Sequence, residues 1–151
     1  MQIDYEGSPK LTNLEAGALI YEMARRDPGI AGFFVIHNGI GMAVIDAFGS
    51  ESQKQKFLPP YLKFDKVLGF GLTEPLNGSD ASQLQTTARR VPGGWVLNGQ
   101  KRWIGNATLG DVVVWAKNME DGGKVQAFVV EKGMKGFTPT KMQGKMAFRA
   151  V

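Results

Sequence analysis

Two short stretches of the chain gather residue types that can do chemistry on a bound cofactor or substrate. The first runs Gly69-Phe70-Gly71-Leu72-Thr73-Glu74-Pro75-Leu76-Asn77-Gly78-Ser79-Asp80. Thr73 and Ser79 bring hydroxyls, Pro75 bends the backbone, and Asn77-Gly78 tolerates positive φ, so the amides of Gly78 and Ser79 can point into one concavity. Backbone nests of this kind hold phosphate oxygens. The loop can take a pyrophosphate or the polar rim of a cofactor, and it reads equally as a long turn rich in turn formers. The second stretch is Gly99-Gln100-Lys101-Arg102-Trp103-Ile104-Gly105-Asn106. Here Trp103 can offer its indole to a flat ring, with Gly105 letting that ring approach the backbone; the alternative is a core tryptophan beside a bulge. Trp115, inside Val112-Val113-Val114-Trp115, and His37, inside an apolar helical run, read as core residues. Glu74, Asp80 and Asp111 all lie near turns, and their spacing marks no pair as general acid and base.

Composition removes other chemistries. The 151 residues hold no Cys and one His, so a disulfide framework, a thiolate zinc site, an iron–sulfur cluster, a Cys nucleophile and a multi-histidine metal centre are all excluded. The net charge of +4 is spread over isolated pairs such as Arg25-Arg26, Arg89-Arg90 and Lys101-Arg102, which reads as a solvated surface and not a nucleic-acid patch. No apolar stretch reaches the ~18 residues of a membrane span. The acidic start Met1-Gln2-Ile3-Asp4-Tyr5-Glu6 shows no secretory leader.

The elements that must position the two stretches differ in kind on either side of residue 65. Before it, Thr12-Asn13-Leu14-Glu15 fits a capping box, and Ala16, Leu19, Ile20 and Met23 form one helical face. Asp27-Pro28-Gly29 ends that helix. A buried helix follows over 30–48, with Phe33, Ile36, Ile40, Val44 and Ala47 in one stripe and Gly49 as its stop. Ser50-Glu51-Ser52-Gln53 caps a further helix that Pro59-Pro60 should terminate. After it, the periodicity turns to two. Candidate strands are 67–72, 84–91, 95–97, 101–104, 112–117, 125–131 and 138–142, with turns at Gly93-Gly94, Asn98-Gly99 and Asp121-Gly122-Gly123. The fold class is α+β: a helical N-terminal domain over 1–65, then an antiparallel β-barrel domain over 66–151.

Phe70-Gly71-Leu72-Thr73-Glu74-Pro75 with Gly78-Ser79-Asp80, followed by Asn98-Gly99-Gln100-Lys101-Arg102-Trp103-Ile104, resembles the paired signatures of the acyl-CoA dehydrogenase and acyl-CoA oxidase flavoproteins. The flanks agree: Gly49-Ser50-Glu51 with 53–59 resembles the family's helical segment, and 132–137 with 141–145 its closing strands. Glutaryl-CoA dehydrogenases and plant-type short-chain acyl-CoA oxidases show the most similar patterns. The resemblance implies FAD, held between a middle β-domain and a C-terminal four-helix bundle and across a subunit interface in a homotetramer. It places Phe70, Gly71, Leu72, Thr73, Gly78 and Ser79 along the flavin, puts Ser79 on the acyl-CoA as well, and runs Trp103, Ile104 and Gly105 past the isoalloxazine.

The implied reaction is α,β-dehydrogenation of an acyl-CoA thioester to the 2-enoyl-CoA, with oxygen or an electron-transfer flavoprotein as acceptor. Hydrogen bonds to the thioester carbonyl must acidify the α-proton before a carboxylate can remove it. The family's glutamate base falls in the C-terminal bundle, beyond Val151, so no catalytic residue is assigned here. Gly105 stands where the family usually has Thr, a feature shared with the plant-type oxidases. Ala31 stands where glutaryl-CoA dehydrogenases present an Arg to the distal carboxylate, so a simple short acyl chain is expected in place of glutarate. The other reading is a non-catalytic flavin- or CoA-binding fragment. Compartment stays open, because a C-terminal targeting signal would lie beyond this chain.

Overall fold

The computed structural model describes residues 3–149. Helix α1 (Asn13–Arg26) starts at Thr12, whose hydroxyl accepts from the Glu15 amide at 3.3 Å while the Glu15 carboxylate accepts from the Thr12 amide at 2.8 Å. Asp27 ends α1 and opens α2 (Pro28–Phe34), accepting the Gly29 and Ile30 amides at 2.7 and 3.1 Å, with Pro28 in the first turn where no amide partner is needed. The helix continues as a π-helical segment, Val35–Met42, and closes as α3 (Ala43–Phe48). A Cβ at Gly49 would collide with the Ile45 carbonyl, so the stop is a glycine for reasons of space.

The π segment shifts the buried face. Bonding from i to i+5 adds a residue to the turn, so the stripe expected from a 3.6-residue period slips. Ile40 and Ala47 are exposed, and His37, Gly41, Met42 and Ile45 face the core instead. From Pro28 to Phe48 the helix is also 21 residues long and apolar enough to cross a membrane by length and composition, where the sequence reading saw no such stretch. Its core-facing residues pack on the sheet. Helix α4 (Glu51–Leu62), capped by Ser50 and Gln53, runs through Pro59 and Pro60 and is not terminated by them. The carbonyls those prolines cannot serve belong to Gln55 and Lys56, both exposed to water, and the turn closes with Lys63 N–H donating to the Pro59 carbonyl at 3.2 Å.

Five strands follow among the described residues: β1 (Leu68–Gly71), β2 (Thr87–Val91), β3 (Gly94–Asn98), β4 (Asp111–Asn118) and β5 (Lys124–Val130). The helical part thus gives way to a β-domain as expected, but the sheet is mixed and not wholly antiparallel. β4 pairs antiparallel with β5 along one side. On its other side it pairs parallel with β1, Leu68 opposite Asp111, and again parallel with β2, Thr87 opposite Lys117. The reason lies in the connection: the chain leaves β1, makes the β2–β3 hairpin around Pro92-Gly93, and re-enters at β4 in β1's direction. The expected strands at 101–104 and 138–142 do not form.

Ile3, Met42, Ile45, Leu58, Tyr61, Leu68 and Val113 make one core cluster. It draws on the N-terminal segment, the helices, β1 and β4, so the helical and β parts share an interior, although the α-helices end at Leu62 and strands begin at Leu68. Gly41 makes the contact close: a Cβ there would sit 3.1 Å from the Leu68 side chain. Each fully buried side chain of this size contributes about 1.5–3 kcal/mol.

Candidate functional site

β1 carries Phe70 and Gly71 to the end of the sheet and releases the chain into the loop that the sequence singled out. Within it, Glu74 N–H donates to the Asn77 carbonyl at 2.9 Å and Asn77 N–H returns to the Glu74 carbonyl at 3.3 Å. That reciprocal pair closes a tight turn. Neither Asn77 nor Gly78 is among the described residues with positive φ, so the expected nest of amides does not form in that way. Gly78 and Ser79 are nonetheless exposed at the tip, and a Cβ at Gly78 would meet nothing within 4 Å. The Asn77 side-chain oxygen is buried without a hydrogen-bond partner.

The second stretch lies alongside as an irregular arm. Arg102 N–H donates to the Thr73 carbonyl at 2.8 Å, and Lys101 Nζ donates to the Leu72 carbonyl at 3.0 Å. The Arg102 bond uses a backbone donor that a strand at 101–104 would need, and the Lys101 bond holds the arm to the loop through its side chain. Trp103 sits at φ +62°, a left-handed conformation disfavoured for a bulky residue. Its surface is 59% exposed, with the Arg102 guanidinium 4.6 Å from the ring centroid. It is therefore not a core tryptophan. Backbone held in such a conformation persists only where its surroundings over-determine it. Asn106 does part of that work: buried and also at positive φ, it donates through Nδ2 to the Phe33 and Leu68 carbonyls, both at 3.2 Å. A Cβ at Gly69 would lie 2.8 Å from the Gly105 carbonyl oxygen, so the arm rests directly on β1.

The candidate residues thus divide. Thr73 and Trp103 are brought together through the Thr73–Arg102 bond, with Leu72, Ile104 and Gly105 half-buried along the same arms and Gly78 and Ser79 at the exposed tip. Phe70 turns elsewhere: its ring meets Trp115 edge-on at 6.1 Å, and Trp115 in turn lines a groove of about 760 Å³ with Val44, Phe48, Trp95 and β5. Gly71 is buried, and a Cβ there would press on Val112 at 3.1 Å. An exposed indole beside an exposed polar loop suits a planar aromatic group with a polar tail, and the orphaned Asn77 oxygen adds an acceptor.

Glu74 lies at a turn as expected, but its side chain has a role that the sequence reading did not assign. Its carboxylate is buried and accepts from the Gln85 amide at 2.6 Å, the Thr86 amide at 2.9 Å, the Thr86 hydroxyl and Lys101 Nζ at 2.9 Å. Burial favours the protonated form, but Lys101, Thr86 and the two amides outweigh it and hold the pKa down to about 2. Burial in turn lowers the Lys101 pKa, with Glu74 opposing. The only sequence signal was an acidic residue in one stretch and a basic residue in the other.

A second network ties the helices to the sheet. Asp111, at the start of β4, accepts from Tyr61 Oη at 2.7 Å, Lys66 Nζ at 3.1 Å and the Lys132 amide at 2.7 Å. Burial raises its pKa, and those three donors bring it below the usual range. His37 is buried as expected. Its Nδ1 accepts from the Leu68 amide and its Nε2 faces the Tyr61 carbonyl, both at 3.0 Å, which selects the neutral tautomer protonated on Nε2. Burial lowers its pKa, the Tyr61 carbonyl opposing in part.

The family profile described as acyl-CoA dehydrogenase, N-terminal domain, matches residues 1–65, and that described as acyl-CoA dehydrogenase, middle domain, matches residues 69–151. A probable acyl-CoA dehydrogenase of Bacillus subtilis is 41% identical over 137 residues, covering 89% of this chain and 23% of that protein. A glutaryl-CoA dehydrogenase structure from Mycobacterium smegmatis superposes with TM-score 0.86 at 35% identity, covering 93% of this chain and 36% of that one. An acyl-CoA dehydrogenase complexed with FAD, from Bacillus anthracis, gives TM-score 0.86 at 36% identity, over 95% and 25% of the two chains. The chain spans between about a quarter and a third of the length of these relatives.

Proposed function

The chain belongs to the acyl-CoA dehydrogenase family, and on that premise we propose that it supplies the flavin- and thioester-facing walls of a FAD-dependent enzyme that desaturates a short acyl-CoA to the 2-enoyl-CoA. The observation that carries this reading is the union of the two arms at Thr73 and Arg102, 2.8 Å apart, with the Trp103 indole exposed beside them. FAD bound here would supply the hydride acceptor for the β-carbon. Trp103 and Thr73 hold the ring system, Gly105 and Gly78 keep side chains out of its way, and Ser79 at the exposed tip donates its hydroxyl to the acyl-CoA. The apolar indole and the arm beneath it exclude water from one side of the reacting carbons.

The two buried carboxylates of these networks do not serve as the base. Glu74 accepts from four donors and has a pKa near 2, and Asp111 accepts from three. We assign the base to a glutamate outside this chain, the FAD site to an interface completed by further chain, and the assembly to a homotetramer. The buried Ala31, where a cation would be needed for a second carboxylate, favours a simple acyl chain. The helix from Pro28 to Phe48 serves as an interior helix of that assembly and not as a membrane anchor.

The test is spectroscopic. The full-length protein that carries this chain together with the base-bearing segment shows a bound-flavin spectrum that butyryl-CoA bleaches anaerobically, and glutaryl-CoA does so more slowly. Flavin that no acyl-CoA bleaches, or a pure protein without flavin, overturns the reading. Mixing the reduced enzyme with oxygen by stopped flow separates acceptors: slow reoxidation points to an electron-transfer flavoprotein and fast reoxidation to an oxidase.

A further inference from the structure

The Glu74–Lys101 pair has no part in the chemistry proposed above, yet three segments remote in sequence end on it. The loop after β1 supplies Glu74 itself, with the Leu72 carbonyl bound to Lys101 Nζ at 3.0 Å. The stretch before β2 supplies the Gln85 and Thr86 amides and the Thr86 hydroxyl. The arm after β3 supplies Lys101, whose neighbour Arg102 holds the Thr73 carbonyl. The two side chains are only 4% and 11% exposed. Gly99 presses the same point: a Cβ there would collide with the Thr86 hydroxyl.

A buried ion pair is weak evidence for stability, because apolar residues of similar volume commonly do as well; what it can specify is one arrangement over its neighbours. Here a slip of either arm by one residue strands a buried charge, and slipping the 85–86 stretch strands two amides. The pair also lies directly beneath the Thr73–Arg102 junction. We propose that Glu74 and Lys101 are positioning residues that lock the 72–79 loop and the 101–105 arm in the one register in which Thr73 and Trp103 meet the flavin, touching neither flavin nor acyl-CoA themselves. This inference rests on the flavin reading above and adds the device that sets its geometry. It also accounts for the absence of a strand at 101–104, since a strand would withdraw Lys101 from the lock.

Glu74→Gln, Lys101→Met and the double variant in the intact protein test it through three readouts. These are the FAD dissociation constant, the quenching of Trp103 emission by bound FAD (taken as the difference from Trp103→Phe in each background), and amide exchange of Thr86 and Arg102 in flavin-free protein. Each single variant should weaken FAD binding at least tenfold, lose at least half of the Trp103 quenching, and exchange the Arg102 amide at least tenfold faster. The double variant should be less impaired than the product of the singles, since it leaves no lone buried charge, and it carries the test where a single variant does not fold. Wild-type affinity with wild-type quenching in the variants overturns the lock. So does weakened affinity with quenching and exchange unchanged, which would make the pair direct contacts. A wild-type protein that takes up no FAD overturns the dehydrogenase reading and the flavin clause of this one, and the exchange rates then decide the lock alone.

Discussion

Protonation of His37 should weaken the joint between the helices and the sheet, and a chain with one histidine makes the effect easy to assign. The ring is fully buried, its Nδ1 already occupied by the Leu68 amide. A second proton on Nδ1 would set two donors against each other in a place water cannot reach. The folded pKa therefore lies below the unfolded value of ~6.5. For a group depressed in this way the unfolded chain binds more protons at acid pH, so stability is fully present above ~6.5 and falls as the pH drops towards the folded pKa. The limiting slope is ~1.4 kcal/mol per pH unit. Glu74 and Asp111 are held low by their donors and titrate well below this window. Urea unfolding followed by tryptophan emission from pH 7 to 5 should show that slope. In His37→Leu the slope should vanish, at a constant loss of about 2–6 kcal/mol for two stranded backbone groups at ~1–3 kcal/mol each. A wild-type protein equally stable at pH 7 and pH 5, or a variant with the wild-type slope, refutes the tautomer assigned from the two bonds.

Other outcomes follow from single contacts. Glu74 is depressed to about 2, so its contribution is present above ~4.5 and lost as pH falls through 2; over roughly 2.5 units this is about 3 kcal/mol at most, and acid titration of Glu74→Gln should lack it. Tyr61→Phe removes one of three donors from Asp111 and should cost ~1.5–3 kcal/mol in urea unfolding. Gly69→Ala sets a Cβ against the Gly105 carbonyl and should cost about 1–3 kcal/mol while raising the FAD dissociation constant. Trp103→Ala, at a mostly exposed site, should leave the unfolding midpoint within about 1 kcal/mol of wild type and weaken FAD binding at least tenfold.

What the sequence made legible was local. Thr12 and Ser50 announce their helices because a capping box is complete within four residues, and the glycines at Gly93-Gly94 and Asp121-Gly122-Gly123 announce their hairpins for the same reason, the first turn falling one residue earlier, at Pro92-Gly93. The two signature stretches were found by residue type and prove to be neighbours in space. Features that depend on distant partners were not legible. The π segment changes which residues face inward, and Gly41 within it lies close against the Leu68 side chain of β1. The segment at 101–104 has the alternation of a strand, but its Arg102 amide is spent on the Thr73 carbonyl and its Lys101 side chain is drawn to Leu72 and Glu74. Glu74 looked like one of several turn carboxylates, since nothing local reveals that Thr86 and Lys101 will converge on it. Phe70 and Trp103 are both aromatic residues of signature stretches, and only the sheet register sends one to Trp115 and leaves the other in the open.

The shared core has a consequence for the order of events during synthesis. Met42, Ile45, Leu58 and Tyr61 leave the ribosome well before Leu68 and long before Val113, which complete the cluster they pack in. At roughly 5–20 residues per second, several seconds pass in which the long apolar helix has no sheet to lie on. Throughout that interval the nascent chain presents the kind of surface that chaperones hold, and the first sixty residues can reach their native packing only once β4 has been made.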